Sequence, residues 1–417
     1  MSITGDHRLL KRLNRMALVR QVRQAPGSSR ADLAHSTGLT KSTVSLLSQE
    51  LIDEGWLVEL DLDPTIARGS GRPPTPLTLD EHRLAFIGVD IGLGAATAVA
   101  TNLVGMVLME NSTPIDSADP ASACRQVAGL IEALLREPEL RKRTTIGIGV
   151  GVPGAVDDRT GVLRFAPNIG WKELPLRDLL RTALADGPAG SLPVYVQNDA
   201  DVGALGEFEF VDRPVDEPLV FLVLGTGVGA GIVVNDRLLT GFGGFAGEIG
   251  HTILDARGPR CSCGRNGCTE AFVGLGAIVE SVLGPGKARH AQDSQALLRS
   301  LPAAAFDPMR VAQDAALKAA FDRAGAYVGQ LMQNLWAAFD PATIVLGGPS
   351  CEFGESLLAP ARTELARYGE AAGLRPPVVK VARFGRLAQA VGAAAAVIHY
   401  QVRPLTESLL GQTAETG

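Results

Sequence analysis

The stretch from Gly244 to Glu270 holds the densest reactive chemistry in the chain: GFAGEIGH, a nine-residue spacer, then CSCGRNGCTE. Three of the five cysteines, Cys261, Cys263 and Cys268, fall within eight positions, and His251 lies shortly upstream. Three thiolates and one imidazole are the donor set of a closed tetrahedral zinc site. Gly264 and Gly267 supply the tight turns that a small chelate loop needs. The alternative is a loop of reduced structural cysteines. Two carboxylates, Glu248 and Glu270, flank the cluster and are spaced to point at a ligand. A second run of interest is the glycine turn with Gly225, Thr226, Gly227 and Gly229. It is bare enough for backbone N–H groups to approach a phosphate, although a plain tight turn explains it as well.

These residues need a scaffold, and 417 residues are enough for two or three domains with substantial cores. A hydrophobic fraction of 46% argues against long disorder. No apolar run follows the start and none reaches the length of a membrane span, so neither a signal peptide nor a membrane partner is expected. Unpaired cysteines without an export signal point to the cytoplasm. The net charge of −6 hides an asymmetry: residues 1–45 carry eight Lys and Arg against Asp6 and Asp32, or +6, which leaves −12 for the rest. A basic end on an acidic body predicts a polyanion partner for that end.

The basic end reads as three helices. The first covers about residues 6–24 and stops at Ala25-Pro26-Gly27. The second starts at Ser29, with Asp32 completing a variant capping box, and runs to Thr37. Gly38 makes the turn, and Thr40 caps a third helix from Lys41 to about Glu54, with Val44, Leu47, Leu51 and Ile52 on its apolar face. This is the helix-turn-helix pattern. Trp56–Leu60 and Thr75–Leu79 alternate as the two strands of a wing whose loop carries Arg68 and Arg72. Lys41, Ser42, Thr43 and Ser45 open the third helix and suit major-groove edges and phosphates, while the two arginines suit the backbone or minor groove. Operator DNA is therefore the expected partner; the alternative is a winged helix used only for protein contacts.

From Leu84 the texture changes. LAFIGVDIGLGAATAVATNLVGMVLME reads as a strand, a glycine turn bearing Asp90, and two more strands; LVFLVLGTGVGAGIVVNDRLLTG repeats the scheme from Leu219. This duplication resembles the two halves of the actin-like, ribonuclease H-like sugar-kinase fold. Together with IGIGVGVPGAVD, PNIGW, VQNDADVGALGE, GEIGH, CSCGRNGCTE and IVLGGPS, the body from about residue 84 to 400 resembles the ROK family of sugar kinases and transcriptional repressors. A winged helix fused in front resembles its repressor branch.

The resemblance implies an α/β fold: a winged helix-turn-helix over 1–80, a first lobe over 84–200 completed by 386–400, and a second lobe over 201–385 carrying the zinc motif and a dimerisation surface. Asp199 matches the family's catalytic base, which can accept the proton of a sugar hydroxyl as it attacks a phosphate. Asn168, Asn198, Asp199, Glu248, His251 and Glu270 match the residues around the sugar, and His251 also matches the zinc ligand beside Cys261, Cys263 and Cys268. Asp90, Gly92, Gly225, Thr226, Gly227, Gly347 and Gly348 fall where the family holds its nucleotide. One segment departs from the pattern. Kinases of this group carry Asp-x-Gly-Gly-Thr and then a basic residue, whereas here Asp90-Ile91-Gly92-Leu93-Gly94-Ala95 puts leucine for glycine and glycine for threonine. Leu93 would crowd a phosphate, and the hydroxyl is gone, so ATP and Mg²⁺ are not expected as cofactors while structural zinc is.

The resulting expectation is a sugar-responsive repressor of carbohydrate-utilisation genes. It would bind a monosaccharide or sugar phosphate between its lobes and act as a homodimer or homotetramer on a palindromic operator. The competing reading is an ATP-dependent, glucokinase-like enzyme with an accessory DNA-binding domain. A third is a constitutive DNA-binding protein whose body is only a scaffold.

Overall fold

The computed structural model of the chain describes residues 7–60, 75–210, 217–284 and 306–402. Helices α1 (His7–Gln24), α2 (Arg30–Thr37) and α3 (Lys41–Asp53) form the helix-turn-helix. Ser29 caps α2 rather than starting it. Its hydroxyl accepts from the Asp32 N–H and the Asp32 carboxylate accepts from the Ser29 N–H, so both arms of the capping box are made. Gly38 closes α2 at a φ of 72°, a left-handed value that costs glycine nothing. Thr40 caps α3 by accepting from the Thr43 N–H. The wing strands Leu57–Glu59 and Pro76–Leu79 pair antiparallel, and Ser28–Ser29 adds a short third strand beside Pro76 and Leu77. Arg68 and Arg72 lie outside the described residues.

The body contains two five-stranded sheets of the same topology. In the first, Val107–Pro114, Ala95–Thr101 and Leu84–Ile91 lie antiparallel, followed by Thr144–Val152 and Val194–Asn198 in parallel. In the second, Arg237–Leu238, Val228–Val234 and Leu219–Leu224 repeat the antiparallel part, and Thr343–Gly347 and Val378–Val381 repeat the parallel part. The duplication read from the two glycine hairpins therefore extends through the parallel strands. An antiparallel meander of Ala155–Asp157, Val162–Ala166 and Trp171–Leu174 is added to the first half.

Two helices join the halves. Asp199–Glu209 follows the last strand of the first sheet but packs on Leu219–Leu224 and Val228–Val234 of the second. Ala388–Val402 lies across the first sheet and against Asp199–Glu209. The approach is backbone to backbone. A Cβ on Gly149 would sit 1.8 Å from the Ala393 carbonyl oxygen, and one on Gly88 2.0 Å from that of Ala390. Alanine-rich helix and glycine-bearing strands thus need each other.

The winged helix is seated on the body rather than tethered to it. Met16, Leu18, Val19 and Val22 of α1 belong to one continuous hydrophobic core with Leu84, Phe86 and the Ala388–Val402 helix. Arg83 donates to the Ile52 and Asp53 carbonyls at the end of α3, 2.7 Å each. Among the described residues no helix is long and apolar enough to cross a membrane.

Candidate sugar pocket and metal centre

Six side chains singled out from the sequence converge. Asn168, Asn198, Asp199, Glu248, His251 and Glu270 line one pocket between the halves, together with Pro153, Gly154 and the second glycine hairpin at Gly227–Gly229. Asn168 sits in the turn of the meander. Asn198 ends a strand and caps the Asp199–Glu209 helix, accepting from the Ala200 and Asp201 N–H groups while donating to the Gly154 carbonyl at 3.0 Å. Glu248 precedes and His251 ends a single 3₁₀ turn, Ile249–His251, which lies against the second hairpin so tightly that a Cβ on Gly250 would be 2.1 Å from the Val228 carbonyl oxygen. Glu270 opens a short helix and ties three parts together, accepting from Val228 N–H at 3.2 Å, Asn168 Nδ2 at 3.4 Å and Ser262 Oγ at 2.9 Å.

The pocket is rich in acceptors. Burial, reinforced by the charges of Asp199 and Glu270, pushes the Glu248 carboxyl up to about 8. Burial also raises Asp199 to about 6, although the Ala200 N–H and Asn198 work against it. Crowded carboxylates of this kind are short of donors, and a hydroxyl-rich neutral ligand brings donors without adding charge. The pocket is a small cleft of about 30 Å³, half open to solvent.

His251, Cys261, Cys263 and Cys268 form one cluster whose donor atoms all lie within 4.8 Å of one another. Cys261 Sγ is 3.7 Å from His251 Nδ1, and Cys263 Sγ is 3.6 Å from Cys268 Sγ. A sulfur pair at that spacing is too far apart for a disulfide, whose S–S bond is about 2.05 Å. It does match the edge of a tetrahedron built on Zn–S bonds of about 2.3 Å. The residues fit a closed metal centre. His251 turns its other nitrogen, Nε2, towards Glu248 Oε2 at 3.9 Å, so one imidazole faces both cluster and pocket.

The nucleotide residues separate into two places. Asp90, Gly92, Gly347 and Gly348 line a second interlobe cavity of about 670 Å³, whereas Gly227 faces the small pocket. Gly225 and Thr226 lie between, and a Cβ on Gly225 would be 3.4 Å from Pro349. In the first hairpin Gly92 N–H donates to the Ala95 carbonyl at 2.9 Å and Gly94 N–H to Ser117 Oγ at 3.3 Å. Leu93 lines the cavity and also packs on the first half's core.

Asp90 at the floor of this cavity is raised to about 7, first by burial and then by the charge of Asp199. A carboxyl raised on folding contributes stability that is full below its unfolded pKa near 4 and is lost as pH rises through the folded value. We expect Asp90→Asn to be more stable than wild type at pH 8. Its advantage in urea unfolding should grow by on the order of 2 kcal/mol between pH 5 and pH 8. An advantage independent of pH would show that Asp90 is ionised throughout.

On the DNA-binding end, Lys41, Ser42 and Ser45 are exposed along α3. Thr43 is half-buried, and the Ser42 and Thr43 hydroxyls both lie within hydrogen-bond distance of Thr40 Oγ1, at 3.0 and 2.8 Å. Leu46, absent from the residues picked out by type, is 61% exposed on the same helix. An apolar residue on the outer face of a recognition helix was the available signal.

Fold and site together define an actin-like, two-lobed sugar-kinase body carrying a winged helix. The chain belongs to the ROK family, whose sequence model matches residues 86–399. It is 30% identical over 400 residues to the xylose repressor of Caldicellulosiruptor bescii, covering 94% of this chain and 97% of that one. It is 32% identical over 289 residues to the glucokinase of Halalkalibacterium halodurans, covering 68% of this chain and 86% of the enzyme. Among solved structures, a ROK family transcriptional regulator described as a homolog of the E. coli MLC protein superposes with a TM-score of 0.72 at 25% identity, over 98% of this chain and 100% of that one. The repressor-like relatives span the winged helix as well as the body; the glucokinase covers a shorter part.

Proposed function

We propose that the protein is a sugar-responsive transcriptional repressor that senses a neutral monosaccharide and reads operator DNA as a homo-oligomer. One observation carries the reading: Asn168, Asn198, Asp199, Glu248, His251 and Glu270 converge on one pocket beside a hairpin whose Gly92 and Gly94 N–H groups are already bonded, in a body that shares its core with a winged helix. Asn168, Asn198, Asp199, Glu248, His251 and Glu270 would hold the sugar hydroxyls. Zinc on His251, Cys261, Cys263 and Cys268 would act structurally, fixing the imidazole and the loop that buttresses Glu270. Lys41, Ser42, Thr43, Ser45 and the wing arginines Arg68 and Arg72 would contact DNA, with Leu46 against a thymine methyl. The chain would work as three units: 1–80, 84–200 with 386–400, and 201–385. A two-fold homodimer requires a palindromic site.

D-xylose is the first ligand to try, because a relative aligned over almost the whole chain is named a xylose repressor. In a gel-shift titration with duplex DNA selected by the sugar-free protein, one sugar from a panel of pentoses, hexoses and their phosphates should change affinity. A sugar can shift that equilibrium only as far as it prefers one state. Identical affinity across the panel would leave DNA binding without sensing.

A further inference from the structure

We propose that the Asp199–Glu209 helix carries the sugar signal to the DNA-binding end through an ion pair between Glu209 and Arg23 of α1. The inference rests on the sensor reading above and assigns the residues through which the pocket acts. The first turn of the helix is a pocket wall, since Asn198 caps it and Asp199 begins it. Its other end lies about 15 Å away, at the 1.5 Å rise of an α-helix. There the side chain of Glu209, wholly buried, accepts a hydrogen bond from Arg23 and lies 2.9 Å from His399 Nδ1.

Three features make the helix a connecting rod rather than a passive neighbour. The first turn of the helix is part of the pocket lining through Asn198 and Asp199, so a ligand held there bears directly on its N-terminus. The helix has no slack for local repacking: a Cβ on Gly203 would be 2.3 Å from Phe221, and one on Gly392 of the partner helix 1.9 Å from the Val202 carbonyl oxygen. A close-packed element of this kind transmits displacement instead of absorbing it. Finally, a buried carboxylate holds its guanidinium partner strongly, because separation would leave a charge in a poorly solvating interior. A shift of Asn198 and Asp199 on sugar binding therefore reaches Glu209 and alters the seat of α1.

The test uses the full chain, D-xylose and D-glucose as probes, and a duplex selected by the sugar-free wild type from a random library. Sugar affinity is measured by calorimetry, and duplex affinity by anisotropy with and without sugar. In Arg23→Gln, sugar affinity should stay within about threefold of wild type, while the sugar-dependent change in duplex affinity, on the order of 5–150-fold in coupled systems, falls below about twofold. Arg23→Lys should keep most of the change. Glu209→Gln should behave as Arg23→Gln; if it fails to fold, the Arg23 variants still decide, since that side chain lies partly at the surface. An undiminished ratio in folded Arg23→Gln overturns the coupling and leaves the sensor reading intact. A wild type indifferent to both sugars and to the rest of the panel overturns the sensor reading, and the coupling with it.

Discussion

Cys268→Ala will emerge from purification with less than about a tenth of the zinc of wild type, melt at least about 10 °C lower, and bind its sugar at least about 100-fold more weakly. Cys268 is fully buried, and its sulfur is the near neighbour of Cys263. Within the loop from Cys261 to Cys268, Cys261 N–H donates to the Arg265 carbonyl at 2.8 Å and Gly264 N–H to the Cys261 carbonyl at 3.0 Å, and its C-terminal end is tied to the preceding segment by Gly267 N–H to the Pro259 carbonyl and Leu254 N–H to the Gly267 carbonyl, 2.8 Å each. A segment so short buries little apolar surface, so a metal bound to its three thiolates would supply much of its order. The sugar effect follows through two contacts. Ser262 Oγ donates to Glu270 Oε1 at 2.9 Å, and Arg265 donates to the His251 carbonyl at 2.9 Å, so the loop braces two walls of the pocket. Elemental analysis of tag-free protein, thermal melts and calorimetry read the three outcomes separately. A variant that retains one zinc per chain removes Cys268 from the ligand set. One that loses zinc yet binds sugar at wild-type strength disconnects metal from pocket.

The cluster of His251, Cys261, Cys263 and Cys268 was legible because its members are close in sequence and chemically unusual, and the helix-turn-helix because caps are local. Ser29, Asp32, Gly38 and Thr40 each declare a helix end through bonds spanning three or four residues. The convergence of Asn168, Asp199 and Glu270 was legible only through family resemblance, since nothing in composition or periodicity brings residues so far apart together. The contacts that went unread are of the same long-range kind. Glu209 carried no signal of its own, and Arg23 counted only as one charge of the basic end; they meet across 186 positions of sequence. The closure of the first hairpin was half read. Leu93 was expected to obstruct phosphate, but the capture of the Gly94 N–H by Ser117 depends on a loop 23 residues away.

With ATP, Mg²⁺ and millimolar D-xylose or D-glucose, ADP release will be at least about a thousandfold slower than by a ROK glucokinase assayed alongside. Phosphoryl transfer relies on positioning and on charge set against the phosphates, and here both are reduced. The Gly92 and Gly94 N–H groups are committed to Ala95 and Ser117. The one cation among the described residues lining the 670 Å³ cavity is Arg386, whose two terminal nitrogens hold Glu110 at 2.6 and 3.0 Å. Burial, with the charge of Asp199, raises Asp90 to about 7, so its carboxyl is only partly ionised at neutral pH in the absence of a cation. Sustained ADP release that disappears in Asp199→Asn would establish the kinase reading instead. Restoring the kinase residues should not restore the reaction. In Leu93→Gly with Gly94→Thr, the new threonine would occupy a backbone position whose φ is +78°, a conformation that side-chain-bearing residues rarely adopt. The hairpin would have to be rebuilt, not merely resubstituted, so the double variant should remain as inactive as wild type while still binding sugar.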